Sequence, residues 1–319
     1  MPKLTSDQQL SCSQLPALFG VSRYSTPNDV LEFCCKAING DDPRTAAGEA
    51  ADWGNLLEPT IIAEMSARLK LDRFTFPQEA FQHPTLALGG SLDAIGHPSK
   101  DPDYLIVKHN PAAGIYVVGA DEIELIGPGV LESKLTKGYP EEEVPLYRGP
   151  IQVQGLMMCT GYQWAAIGTL YNGIEMRIFL FKPHIQTMDK IAYSAKDFQS
   201  RLDEFKETRS PLWYPPHDSK DADRVYPNAK DEEIDLGEEY EIVADYIVST
   251  KDAIKKLEGE IVEAETRLKT MMQDFNSAKA GKYVVRWPMR HYKESAEKIT
   301  PAKPAYSIRQ STLTIKEAK

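Results

Sequence analysis

GPGVLESKLTK, residues 127–137, joins a tight turn to a strand-like run that carries a carboxylate and a lysine. Two glycines and a proline make a turn, and apolar and polar residues then alternate with the period of a strand. Side chains two apart on a strand share a face, so Glu132 and Lys134 project together while Leu131, Ser133 and Leu135 project to the other side. A carboxylate and an ammonium are thereby held side by side on a strand whose opposite face is largely apolar. Phosphodiester hydrolysis needs such an arrangement: a carboxylate to hold a divalent metal, and a cation to orient the attacking water and help deprotonate it. Alone, the pair is a weak signal, because it also reads as a surface ion pair. Glu-x-Lys recurs as Glu204-Phe205-Lys206 in a helical stretch, where side chains two apart do not face each other.

Working outward, residues 74–137 are short apolar runs punctuated by Gly, Pro and Asp, and read as strands; residues 100–122 read as an inserted strand pair. Upstream, residues 14–38 read as a short helix, a Gly-containing turn and a second helix capped near Thr26 with Pro27 at its first position. A third helix is expected from about Thr45, with Trp53, Leu56, Leu57, Ile61, Ile62 and Met65 on one buried face. Downstream, Pro150 opens an apolar helix read over IQVQGLMMCTGYQWAAIG, followed by a strand, EMRIFLFKP. Helix, strands, helix and strand together predict an α/β domain over residues 1–215.

Two more carboxylates belong in the argument. Asp93, in SLDAIG, follows two glycines, and an adjacent strand would bring it to the same metal as Glu132. Glu58, in GNLLEP, lies on the third helix; a turn Asp and a solvated Glu are the plain alternatives for the two. The Pro150 helix is apolar nearly all round apart from Gln152 and Gln154. A helix of that kind is buried, and a buried amide without partners costs about 1–3 kcal/mol. Something polar must therefore meet at least one of these glutamines, either a backbone carbonyl or the water and phosphate of a reaction.

Residues 216–319 form a C-terminal extension. A Pro- and Asp-rich linker or surface loop, 211–237, leads to one long helix over about 238–279. Its residues Ile247, Ile254, Leu257, Ile261, Ala264, Leu268, Met271 and Phe275 follow a near-heptad spacing. The helix is read as laid against its own α/β domain, with a two-stranded coiled coil as the alternative. The tail beyond it is basic and aromatic, a strand pair with a loop or a phosphate-contacting rim.

Composition bounds the function. With 37 Lys+Arg against 47 Asp+Glu in 319 residues the formal charge is −10, which argues against non-specific coating of nucleic acid but allows a basic groove. The four cysteines are scattered and the six histidines show no metal-ligand spacing, so neither zinc nor an iron–sulfur cluster is expected. No apolar run approaches the roughly 18–20 residues that cross a bilayer. The start shows no signal pattern, so no membrane contact and a cytoplasmic location are expected.

Taken in order, Ser13 with LFGVSRYSTP, GNLLEP, SLDAIG, LESKL and the Q-x-Q helix resemble the YqaJ-type viral recombinases, the group including lambda exonuclease within the PD-(D/E)xK nuclease superfamily. The resemblance spans about residues 10–200, and the long helix with VVRWP and a YSIR ending also looks like phage members of that group. It implies a central mixed sheet flanked by helices, with the long-helix extension packed on that core. Glu58, Asp93, Glu132 and the backbone carbonyl of Ser133 would bind Mg²⁺, for which Mn²⁺ could substitute, and Lys134 and Gln154 would handle the nucleophilic water. Ser13 and Ser91 match positions near DNA phosphates. The basic residue that grips the 5′ phosphate is absent from residues 4–11, leaving Arg23 and Arg44 to replace it. The activity implied is 5′-to-3′ exonuclease action on linear duplex DNA, generating 3′ overhangs for a single-strand annealing partner. The family further implies a homotrimer, and a phage or prophage protein acting in a bacterial host. An endonuclease with the same site, or a non-catalytic DNA-binding or assembly module, are the alternatives.

Overall fold

In the computed structural model, which describes residues 5–44, 48–99 and 104–290, alternating and apolar runs become strands and the 3–4 periodic runs become helices. The chain divides into two units, residues 1–225 and 226–319. The first begins with β1 (Leu10–Ser11), α1 (Leu15–Leu18), α2 (Pro27–Ile38) and α3 (Glu49–Leu69). The strands β2 (Arg73–Thr75), β3 (Phe81–Gln82), β4 (Leu88–Gly90), β5 (Ala94–His97), β6 (Tyr104–Lys108), β7 (Ile115–Val117), β8 (Glu122–Ile126) and β9 (Gly129–Thr136) follow. It closes with α4 (Pro150–Thr160), β10 (Ala165–Tyr171), β11 (Glu175–Phe181), α5 (Ile185–Thr208) and α6 (Ser219–Val225).

Six strands form a mixed sheet in the order β2-β5-β9-β10-β11-β7. The pairs β9/β10 and β11/β7 run parallel, and the other neighbours antiparallel. Leu15, Leu31, Leu156, Phe198 and Leu202 cover one face over Ile167 and Phe179. Ile61, Ile62 and Met65 of α3 cover the other, over Leu131, Trp164 and Ile178. Each such side chain contributes about 1.5–3 kcal/mol on burial, so the sheet is clamped between two apolar layers. The expected α/β sandwich of helices about a mixed sheet is what forms.

Local chemistry explains most boundaries. Thr26 accepts from the Asp29 backbone N–H while the Asp29 carboxylate accepts from that of Thr26, a capping box that starts α2 with Pro27 at its first position. Gly129 stands where a Cβ would lie 2.1 Å from the Trp164 ring, and the Trp164 indole N–H donates to the Gly127 carbonyl at 3.0 Å. The turn ahead of β9 is thus pinned to the core, and only glycine fits it.

Several expectations are corrected. The Pro150 helix ends at Thr160, where Gly161 adopts φ +75° as a C-terminal cap, and WAAIG belongs instead to the interior strand β10. A uniformly apolar run has no period that separates buried helix from buried strand. On α3, Ile61, Ile62 and Met65 are buried but Trp53 and Leu56 are 50% and 65% exposed; Thr45 lies outside the described residues. Within 100–122 the pairing differs: β6 pairs with β8, while β7 between them joins the main sheet beside β11. In the second unit the long helix is α7 (Glu241–Met272), followed by the hairpin of β12 (Ser277–Ala280) and β13 (Tyr283–Arg286). Phe275 therefore falls outside the helix, and the tail beyond residue 290, with its YSIR ending, lies outside the described residues.

α6 ends the first unit through a buried polar clasp. Arg224 donates to Asp221 at 2.8 Å and to Asp29 of α2 at 2.7 Å, and Thr26 donates to Asp221 at 3.0 Å.

Candidate active site

The site grows from two adjacent antiparallel strands. In the β5/β9 register Ala94 lies opposite Leu131, so Asp93, one residue before β5, enters beside Glu132. The Asp93 carboxylate accepts from the Ser133 backbone N–H at 2.7 Å and from the Ser133 hydroxyl at 3.0 Å. Two such bonds fix the carboxylate against β9 and make Asp93 part of the strand pairing.

Glu132 and Lys134 share a face, as the strand period requires. Lys134 Nζ donates to Glu132 Oε1 at 2.6 Å and to Gln152 Oε1 at 3.2 Å, and Gln152 Nε2 donates to Glu132 Oε1 at 2.7 Å. Gln152 reaches this pair because Gly149, the residue before α4, has a φ of +122° and no side chain, which allow close approach; a Cβ there would lie 2.9 Å from Ile167 and 3.5 Å from Lys134 Cε.

Glu132 is 3% exposed, and its second oxygen, Oε2, is buried with no hydrogen-bond partner. Burial, then the charge of Asp93, pushes its carboxyl up to about 7 against the pull of Lys134 and Gln152. Burial alone would lower the Lys134 ammonium. The carboxylates of Glu132, Asp93 and Glu58 outweigh it and hold Lys134 above the usual lysine range. Glu58 is itself raised, first by burial and then by Asp93. Three carboxylates, from α3, β9 and the residue before β5, therefore act on one lysine, although Glu58 and Lys134 are 76 positions apart (134 − 58).

Of the five expected catalytic residues, Glu58, Asp93, Glu132 and Lys134 lie within electrostatic range of one another; Gln154 does not join them. Gln154 Nε2 donates to the Lys182 carbonyl at 2.9 Å, and its Oε1 accepts from the His184 N–H at 2.8 Å, tying α4 to the turn before α5. Of the two glutamines, Gln154 meets backbone and Gln152 meets the carboxylate and the lysine. Positions two apart on a helix point about 200° apart, so both could not enter one site, and the sequence carried no signal for which one did.

Ser13 and Ser91 line a hydroxyl-rich pocket of about 120 Å³ together with Thr5, Ser11, Cys12, Gly90 and Gln152. Ser91 hydrogen-bonds Thr5 at 2.8 Å and Ser13 hydrogen-bonds Ser11 at 2.9 Å. Gln152 is shared between this pocket and the Glu132–Lys134 pair. Neither expected arginine is among the lining residues. Arg23 stacks over the Tyr147 ring at 4.5 Å, and Arg44 forms an ion pair with Asp7.

Among the described residues no group of three or more His, Cys, Asp or Glu side chains is gathered closely enough to hold a metal. Asp93 faces Ser133, and one oxygen of Glu132 is engaged by Lys134 and Gln152. The donors nevertheless suit a hard divalent cation in kind, being all carboxylate oxygen, and the buried, unpartnered Oε2 of Glu132 is an acceptor that such a cation would satisfy.

Fold and cluster together define an α/β protein with a carboxylate–lysine centre on an interior strand of a mixed sheet. Among solved structures the chain is similar to an alkaline exonuclease, LHK-Exo, from Laribacter hongkongensis, at 15% identity and TM-score 0.43, covering 63% of this chain and 91% of that one. The same exonuclease in complex with dAMP gives TM-score 0.44 at the same identity and coverage. A phage-related exonuclease from Haemophilus somnus 129PT is 13% identical, with TM-score 0.41 over 63% of this chain and 96% of that one. No protein-family model and no curated protein matches the sequence. No described helix is long and apolar enough to cross a membrane.

Proposed function

We propose that the chain is a metal-dependent nuclease that degrades the 5′-ended strand of linear duplex DNA. The observation that carries this reading is buried Glu132 paired with part-buried Lys134 beside Asp93 and Glu58, with one Glu132 oxygen left without a partner. Such a group is costly in a structural role. Glu58, Asp93, Glu132 and the Ser133 carbonyl would hold Mg²⁺ or Mn²⁺. The bound ion would supply Lewis-acid polarisation of the phosphate and a water of lowered pKa.

The chain's own groups account for the rest. Lys134, held charged in the metal-free protein by three carboxylates, would orient the nucleophilic water and stabilise charge developing on the phosphate. Gln152 fixes the Glu132 oxygen that Lys134 also touches, which holds the pair in one geometry. The hydroxyls of Ser13 and Ser91 line a pocket suited to phosphate oxygens, and Arg23 beside Tyr147 offers a cation and a ring near the start of α4. The sequence resemblance supports the finer statements: 5′-to-3′ polarity, a 3′ overhang passed to a single-strand annealing partner, a homotrimer around the DNA, and a phage or prophage protein working in the host cytoplasm.

The test is digestion of a linear duplex bearing a 5′ phosphate and a label at one strand end, with Mg²⁺ or EDTA, beside a closed circle. Early release of the 5′ label with the circle intact is expected. Nicking of the circle would make the enzyme an endonuclease, and no metal-dependent cleavage of either substrate would leave a non-catalytic DNA-binding or assembly module.

A further inference from the structure

The helix α7 carries an apolar seam that the proposed chemistry does not use. Ile247, Ile254, Ile261 and Leu268 recur every seven residues, with Leu257 and Met271 at the intervening seam positions. Ile254, Leu257 and Ile261 are 49%, 57% and 59% exposed. A repeat of 3.5 residues, not 3.6, keeps one stripe facing a second helix along a supercoil.

The flanking charges identify the partner and its direction. In a parallel pair of α7 helices, Glu260 of each copy would face Glu265 of the other, a like-charge contact made twice. In the antiparallel register that places Ile254 opposite Leu257 of the second copy, Ile247 meets Ala264, Thr250 meets Ile261 and Val243 meets Leu268, so every layer of the seam holds at least one large apolar residue. Lys251 then faces Glu258 of the second copy, again twice by symmetry, and Tyr246 faces Arg267. No like-charge pair arises, and the two helices overlap along nearly all of residues 241–272. We propose that α7 is a self-association element that pairs antiparallel with α7 of a second copy of this chain in that register. An antiparallel pair is two-fold, so on a homotrimer it would link two trimers into a hexamer, and that step is the association measured below; the pairing holds whether or not the first unit is a nuclease.

A charge-swap cycle on the full chain tests it, read by analytical ultracentrifugation, with far-ultraviolet circular dichroism confirming that helix content is kept. Lys251→Glu and Glu258→Lys should each weaken association roughly tenfold, since each turns two attractive contacts into repulsive ones. The double variant should recover to within about threefold of the original. A wild-type chain showing no self-association, or a double variant no better than the singles, overturns the proposal. A second measurement reads the register directly, by mixing Ile254→Cys chains with Leu257→Cys chains under mild oxidation. A disulfide between the two kinds of chain is expected. Disulfides formed only between identical variants would indicate a parallel pair and overturn the proposal as well. The four native cysteines are buried and do not compete.

Discussion

Two clusters of charge in the first unit, each built around one buried carboxylate, Asp221 or Glu132, differ in how fully they are satisfied. In the clasp between α2 and α6, Asp221 accepts from Thr26 and Arg224 on one oxygen and from the His217 N–H on the other. Asp29 likewise has donors on both oxygens, Arg224 and Lys220 on one and the Thr26 N–H on the other. At the Glu132–Lys134 centre three carboxylates act on one ammonium, and a Glu132 oxygen has no partner. The first cluster is what a fold builds for itself, since complete pairing is the condition under which buried charge is tolerated. At the incomplete one, a bound ion, ligand or water would meet the acceptor that Glu132 leaves open. The difference separates a structural ion network from a candidate site without reference to any other protein.

The two clusters should differ most in what happens when each loses its central cation. Lys134→Ala should lower metal-dependent cleavage of linear duplex by about 10³-fold or more, the scale of losing an essential electrostatic group, while DNA binding in a filter or gel assay stays nearly unchanged. Full cleavage by that variant would move the chemistry elsewhere. Arg224→Ala should do the reverse: it strands Asp29 and Asp221, costs about 3 kcal/mol in chemical denaturation, and leaves cleavage per folded molecule within a few-fold of the parent. A collapse of activity with stability retained would mean that the clasp belongs to the site.

Smaller effects sharpen the contrast through pH. The Asp29 carboxyl is opposed by burial, but the Thr26 N–H, Arg224 and Lys220 hold it well below the usual range. A depressed carboxyl contributes stability that is present above its unfolded value of about 3.9 and is lost as pH falls below that. Glu132 is raised to about 7, so in metal-free protein its contribution is present below about 4.3 and is lost as pH rises through about 7. Thermal unfolding in EDTA should therefore show a Tm that falls from about pH 5 to 8 and a second loss below about pH 4. Glu132→Gln should flatten the upper slope and Asp29→Asn the lower; an upper slope unchanged by Glu132→Gln would sink the account of the site.

The site was more legible than the fold around it. Glu132 and Lys134 could be placed on one face because a strand's period is two, and Asp93 could be added because a short strand beside two glycines tends to pair with its neighbour. The glutamine could not be chosen, since Gln152 and Gln154 sit in the same apolar helix and only the approach at Gly149 and the backbone at Lys182 separate them. The clasp was invisible: Asp29 and Asp221 lie 192 positions apart (221 − 29), and each reads locally as an ordinary first-turn acid. The strand β10 was hidden for the opposite reason, because the helix and strand on either side of Gly161 are both buried all round and show no periodicity to divide them.

Local chemistry written in the chain dictates the cap near Thr26, the turn at residues 127–129, the alternation along β9, the heptad of α7 and the α/β class. Only the tertiary structure decided which glutamine meets the lysine, which carboxylates share one buried field, and which are neutralised in a clasp. The physical reason is range. Backbone propensity and side-chain periodicity act over a few residues and are written in the order of the chain, whereas desolvation and charge–charge interaction act through space and acquire meaning only when distant segments have been packed together.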